Sequence, residues 1–350
     1  MAITKKPSKL YISNHTPPPD QSKKRRRIRQ KSKSAFQSNR KKGKVKVIQT
    51  PALQLSDYFK GCIKLPKQTS AEEGNNEGYL KIKLGSEIVH LVDADNRHYA
   101  SVVPPPDNPE FWQAYKAMRA RVQGLPRSAG APTEAIRGSF HTWHLMLSGQ
   151  NKACLDEPYW NKLFVQHEAE MRGFLEDPSV IQIRNYCSNK FAACFPDHAA
   201  LYSYVGNADL YRKHKAFLWP PFSSLAINEE KMSISQPHRD TQDLLQGLAG
   251  VFSFGQYKMT TLNFKEAKAS VEMPPGALCF LPSHVLTHFN TAIEEGETRG
   301  SLTMFLGHDV VRWIKYGGKA GEASKEVIKK AREEFMEWWN MFKKVEEKGL

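Results

Sequence analysis

The chain has 350 residues and an ordinary globular composition, enough to bury one large core or two modest ones. Its formal charge of +15 is concentrated: residues 23–46 alone hold 13 basic and no acidic side chains, so the positive charge is an arm and not a basic globule. Five cysteines at irregular spacings (Cys62, Cys154, Cys187, Cys194, Cys279), without a C-x-x-C pair or a long apolar run, argue against a disulfide scaffold, a cysteine zinc site and a membrane span.

Residues 1–50 carry Pro17-Pro18-Pro19 and two basic clusters, residues 23–29 and 40–46. They offer too little apolar surface to offset the entropy of ordering, so a disordered basic arm is expected. Clusters of this kind read as a nuclear-import signal or as a nucleic-acid patch, with Lys23, Lys24, Arg25, Arg26 and Arg27 as candidate contacts. The bland alternative is a solubilising tail. The expected location is the nucleus, otherwise the cytoplasm, with import machinery and nucleic acid as partners and no membrane. Such an arm adds salt-sensitive affinity and no sequence choice.

Residues 51–78 read as a linker, and 79–138 as an α/β extension packed on the core. Within it, residues 79–84, 87–93 and 98–103 read as strands, with a turn at Asp93–Arg97. Trp112, Tyr115, Met118 and Val122 recur at helical spacing over 111–122. His90 and His98 sit on strand faces. The core is placed at 139–316, opening on a strand over 139–147 whose His141 and His144 lack a carboxylate at useful spacing and read as structural. Helices are expected over 160–176 and around 189–201. Tyr202, Tyr204, Tyr211 and Trp219 read as core aromatics, with base stacking by one of them left open. From Phe222 to Leu306 the strands are short and the longest helix-period stretch is Thr241–Leu248. Antiparallel sheets of this sort form jelly rolls and cupin-like barrels whose mouths hold ligands. Residues 317–350 are expected to end the chain in an amphipathic helix, 321–349, whose stripe of Val327, Ala331, Phe335, Trp338, Phe342 and Val345 packs back on the barrel.

The chemistry concentrates between Met232 and Leu306. The segment 232–240 alternates in polarity as a strand does, so His238 and Asp240, at i and i+2, share a face while Arg239 points away. Roughly 50 residues on, after the turn Pro274-Pro275-Gly276 and the apolar run 277–281, stands His288. Two imidazoles and one carboxylate with open positions are the facial triad of non-haem Fe(II) oxygenases. Arg299 follows His288 at the spacing H-x10-R, with Ser301 on the same strand face. The bland reading is a coincidence of surface histidines, since His-x-Asp alone is a weak signal in a chain with 12 His. His284 forms H-x3-H with His288, a zinc-like spacing on a helix, but Pro282 and the strand context argue against a helix there.

The order H-x-D…H-x10-R-x-S resembles the double-stranded β-helix dioxygenases that use Fe(II) and 2-oxoglutarate. The stretches 221–228 (PFSSLAIN), 238–243 (HRDTQD), 251–257 (VFSFGQY) and 286–290 (LTHFN) resemble a fungal branch related to the TET/JBP nucleic-acid oxygenases. The resemblance covers roughly residues 85–310. It implies an α+β fold with a double-stranded β-helix (jelly-roll/cupin-like) core and flanking helices. It implies Fe(II) on His238, Asp240 and His288, with 2-oxoglutarate and dioxygen as co-substrates. Arg299 would hold the far carboxylate of 2-oxoglutarate, Ser301 would add a hydroxyl donor, and Asn228 would either touch the co-substrate or be structural. Two departures bear on the substrate pocket: Lys258–Leu262 lacks the Gly-Gly of many relatives, and Gly276-Ala277 replaces their Gly-Asp.

Three functions follow. The first is a dioxygenase that oxidises a methylated base such as 5-methylcytosine in nucleic acid. The second applies the same chemistry to a protein side chain or small metabolite. The third is a non-catalytic binding module, against which the intact H-x-D…H…R set counts.

Overall fold

The computed structural model describes residues 45–59, 74–132, 140–148, 159–160, 162–208, 219–231, 234–317 and 323–348. The candidate contacts Lys23–Arg27, together with Tyr211, lie outside them. The strands are β1 (Val45–Gln49), β2 (Leu80–Ile82), β3 (Ile88–Val92), β4 (His98–Val103), β5 (Ala131–Pro132), β6 (His141–Leu145), β7 (Leu147–Ser148) and β8 (Tyr159–Trp160). After the helices come β9 (Ser224–Lys231), β10 (Ala249–Gln256), β11 (Thr261–Phe264), β12 (Ala269–Glu272), β13 (Leu278–Leu281), β14 (His288–Asn290) and β15 (Thr298–Phe305). The helices are α1 (Leu55–Phe59), α2 (Pro109–Gln123), α3 (Lys162–Gln166), α4 (Glu168–Glu176), α5 (Pro178–Cys194), α6 (Pro196–Gly206), α7 (His308–Lys315) and α8 (Lys325–Glu337).

A nine-stranded sheet runs β1-β3-β4-β13-β10-β15-β9-β6-β5, and a four-stranded sheet runs β14-β11-β12-β2. Within both, the pairs are antiparallel except β1 with β3 and β12 with β2. The sheets share one core, to which Phe252 and Phe280 come from the large sheet and Leu262, Phe264 and Val271 from the small one. They are not closed into a barrel. The architecture is the expected α+β, double-stranded β-helix core with flanking helices.

Strand β10 shows why the sequence builds these layers. All of it but Gln256 is buried, because both of its faces are covered. Phe252 turns to the helices, where Phe111 and Tyr115 of α2 meet it edge-on at 6.3 and 6.2 Å. Val251 turns the other way, into a cavity between the sheets. The expected helix over 111–122 is α2, and its boundaries have local causes. Asn108 caps it by accepting from the Glu110 and Phe111 amides, Pro109 occupies the first turn, and Phe111, Ala114, Tyr115, Met118 and Val122 form the buried stripe.

Several expectations change. Residues 45–49, placed in the arm, form edge strand β1, held parallel to β3 by backbone pairing. Within the expected linker, α1 buries Leu55 and Phe59. The strands of the extension 79–138 join the sheets themselves, β4 pairing with β13 of the large sheet (Leu278 opposite Val103) and β2 with β12 of the small one, while its helix α2 packs on the core. The helix expected over 160–176 is two, broken at His167, and the one around 189–201 spans the junction of α5 and α6, where Pro196 lacks the N–H that would continue the ladder. Thr241–Leu248 is a set of turns: the Leu244 amide donates to the Leu306 carbonyl at 2.8 Å instead of within a helix. The C-terminal helix stops at Glu337 and gives way to a 3-10 turn over Trp338–Met341. Part of its stripe packs back, with Ala331 buried and Phe342 fully buried and stacked on Phe59 at 5.3 Å, while Val327 is exposed. Trp219 and Tyr202 are buried core aromatics as expected, while Tyr204 is exposed. Among the described residues no helix is long and apolar enough to cross a membrane.

Gly255 fixes the geometry opposite Arg299. It pairs with Arg299 at a φ of +142°, and a Cβ built there would lie 2.1 Å from the Thr298 carbonyl oxygen. Gly255→Ala is expected to cost at least ~1–3 kcal/mol from backbone strain alone, read as a lower urea midpoint at unchanged m-value.

Candidate metal centre and its cavity

His238, Asp240 and His288 converge: one ligand atom from each lies within 4.8 Å of the others. Of the strand expected over 232–240, Met232 and Ser233 lie outside the described residues, and residues 234–240 do not form a continuous strand. This segment meets the small sheet at the bridge of His238 with His288, with backbone hydrogen bonds of 3.1 and 2.9 Å in both directions, and at Ser235, which accepts from the Asn290 amide at 3.3 Å and donates to the Asn290 side chain at 2.8 Å. That bridge brings together two histidines distant in the chain and sets their rings 4.4 Å apart.

The imidazoles are oriented for the same task. His238 Nδ1 lies 2.7 Å from the Gln236 carbonyl and His288 Nδ1 lies 3.0 Å from the Leu286 carbonyl. A carbonyl only accepts, so each Nδ1 carries the proton and each Nε2 presents its lone pair. Those Nε2 atoms face the Asp240 carboxylate at 3.9 and 3.6 Å. Two imidazole nitrogens and one carboxylate oxygen on one side of a cavity are a donor set that fits a divalent first-row metal such as Fe(II). His284 is not in this cluster. Its Nδ1 bonds to the Asp243 carbonyl at 2.8 Å, and burial holds its pKa below the usual histidine value.

The cluster opens on a cavity of about 410 Å³. Strand β15 lines it with Arg299, Ser301, Thr303 and Phe305, alternate residues on one face. Arg299 is 4% exposed, and burial depresses its guanidinium while Tyr257 counteracts this through charge and a hydrogen bond. Burial raises Tyr257 to about 12, and its hydroxyl also donates to the Met273 carbonyl at 3.0 Å. Gly300, between Arg299 and Ser301, sits where the β15–β9 register shifts, and a Cβ there would lie 2.7 Å from the Asn228 carbonyl oxygen and the Phe254 ring.

Asn228 lines the same wall, with both ends of its amide engaged. It donates to Ser301 Oγ at 2.8 Å and accepts from Thr142 Oγ1 at 3.0 Å. Because Ser301 accepts from Asn228, its own O–H is left to donate elsewhere, and Ser301 lines the cavity. Asn228 therefore orients the hydroxyl. Sequence reasoning missed Tyr257 as a partner of Arg299, and it missed β6: His144, read as structural, lines the cavity with Phe140, Thr142 and Met146. Their period of two was visible, but not the wall they would face. Asp243 and Gln242, beyond Asp240, line it too.

No family model and no curated protein matches the sequence. Among solved structures the chain is similar to NgTET1 in complex with 5mC DNA, with a TM-score of 0.51 and 15% identity over 89% of this chain and 98% of that one. At that identity the likeness shows the fold. Slighter likenesses are to a 2OG-Fe(II) oxygenase family oxidoreductase from Burkholderia pseudomallei (TM-score 0.37, 13% identity, 60% of this chain and 86% of that one). OsALKBH1 is similar at a TM-score of 0.35 and 12% identity, over 59% of this chain and 96% of that one.

Proposed function

We propose that this protein is an Fe(II)- and 2-oxoglutarate-dependent dioxygenase that oxidises a methylated base, of the 5-methylcytosine kind, in nucleic acid. The observation that carries the reading is the pairing of two walls in one cavity. One wall gathers His238, Asp240 and His288 within 4.8 Å, and another presents the buried Arg299 beside Ser301. Fe(II) with 2-oxoglutarate and dioxygen, once bound, supplies an oxidant strong enough to take hydrogen from a substrate C–H bond. The chain's own residues bind and orient. His238 and His288 are held as Nε2 donors by backbone carbonyls, and Asp240 completes the charge. Arg299 gives a planar fork to the distal carboxylate of 2-oxoglutarate, and Ser301, turned by Asn228, adds a hydroxyl donor.

Three features support a nucleic-acid substrate. The fold is shared with NgTET1, which was solved with 5mC DNA. The cavity, about 410 Å³, is of the size that takes small ligands, and a base reaches such a site only when flipped from the duplex or presented single-stranded. The basic clusters of residues 23–46 supply salt-dependent affinity for phosphates and suit nuclear import.

Succinate release tests this with Fe(II), 2-oxoglutarate and either a methylated or an unmethylated DNA duplex. Release that requires the methyl group is expected. Asp240-dependent release indifferent to DNA would discard the nucleic-acid substrate and favour a protein side chain or metabolite. Absence of both release and metal binding would leave a binding module.

A further inference from the structure

The turn between β11 and β12 places a carboxylate behind the metal centre, outside the cavity. Glu266 accepts from Thr287 twice, from the hydroxyl at 2.7 Å and from the backbone amide at 2.8 Å. The neighbouring Lys265 amide donates to the Thr287 carbonyl at 2.9 Å, so every polar group of residue 287 is held by this turn. Thr287 stands between His288 and Leu286, whose carbonyl takes the His288 Nδ1 proton. The same carboxylate acts through charge on a second neighbour of the ligands. Arg239 lies between His238 and Asp240, points away from the cavity as the period of two requires, and is 6% exposed. Its guanidinium donates to the His284 carbonyl at 3.4 Å and interacts electrostatically with Glu266.

We propose that Glu266 is a positioning residue for the metal centre: one carboxylate that grips Thr287 and so holds the backbone on either side of it, His288 and the Leu286 carbonyl that orients its imidazole. It thereby fixes the His288-bearing segment, which meets the segment of His238 and Asp240 at the His238–His288 bridge, at Ser235 with Asn290, and where the Asp240 amide donates to the Ser283 carbonyl. Burial pushes the Glu266 carboxyl above the ordinary range, so its position is costly, and the two hydrogen bonds from Thr287 offset that cost. A purely structural clamp would support the fold equally with or without metal. A positioning clamp matters more to the affinity for metal than to the stability of the metal-free chain. The proposal rests on the reading of His238, Asp240 and His288 as a metal site.

The test is Co(II) titration followed by ligand-field absorption, alongside thermal midpoints in chelator, for wild type, Glu266→Ala, Glu266→Gln, Thr287→Val and Asp240→Ala. Loss of the grip in Glu266→Ala is expected to weaken Co(II) binding by ~10–100-fold, the scale of outer-shell losses at metal sites. Glu266→Gln is expected to recover most of this, since its amide oxygen accepts from the Thr287 N–H and its amide NH2 donates to the hydroxyl. Thr287→Val, which keeps the branched shape and removes one of the two bonds, should fall between and serves if Glu266→Ala does not fold. Co(II) affinity unchanged in a folded Glu266→Ala or Thr287→Val would overturn the proposal. Wild type that binds Co(II) no better than Asp240→Ala would overturn the metal reading itself, and the proposal with it.

Discussion

Asp240→Ala is expected to abolish turnover and to weaken metal binding by more than the ~10–100-fold typical of outer-shell changes, because it removes the one carboxylate of the donor set. Two neutral imidazoles remain, and they carry no charge to balance a divalent ion. The side chain is partly exposed at 16%, so its loss leaves little buried surface unfilled. The thermal midpoint in chelator should therefore stay near that of wild type. What should vanish is the rise on adding metal. An ion that binds only the folded state stabilises it by about 2.7 kcal/mol at a hundred times its Kd. A melting experiment in chelator and in excess Co(II) separates these terms. A metal-dependent rise retained in Asp240→Ala would move the metal site elsewhere.

The second large effect is expected at Arg299. Arg299→Met removes one partner of a buried, charge-assisted pair, which costs about 2–5 kcal/mol, or roughly 30- to 5,000-fold in the KM for 2-oxoglutarate. Arg299→Lys keeps the charge and loses the planar fork, so it should recover only part of the loss. Metal affinity should be unaffected in both variants, since Arg299 belongs to the opposite wall. Stability should move the other way from activity. A guanidinium that burial already penalises has much to gain from replacement by an apolar group of similar volume. Arg299→Met is expected to melt no lower than wild type without ligand. A large drop in its midpoint, with KM for 2-oxoglutarate unchanged, would assign Arg299 to the core and not to the co-substrate.

The site was legible in the sequence where local period decides. His238 and Asp240 at i and i+2, and Arg299 and Ser301 likewise, had to share faces once the chain was extended. The turn at Gly276 was legible for the same kind of reason: at φ +80° it is the third residue of a type II turn, closed by the Ala277 amide on the Pro274 carbonyl at 3.0 Å. Boundaries failed where amphipathic spacing outlasts the element. Phe342 continues the stripe of α8, but the chain has already turned at Trp338, and nothing local marks the end. Strand β1 was hidden because its burial comes from one parallel neighbour, while its lysine-rich approach reads as an arm.

The sequence by itself determined which residues could be ligands, which faces they share, and that strands with short turns would carry them. Only the tertiary structure decided their partners. A period of two fixes the face of a strand and says nothing of the strand it will oppose, because pairing is non-local. The His238–His288 bridge, the wall that β6 turns toward Arg299, Tyr257 against the guanidinium and Glu266 behind Thr287 are all contacts between segments far apart in the chain. Each is made because the two sheets must bury one common core, and the cavity is the space that this packing leaves between them.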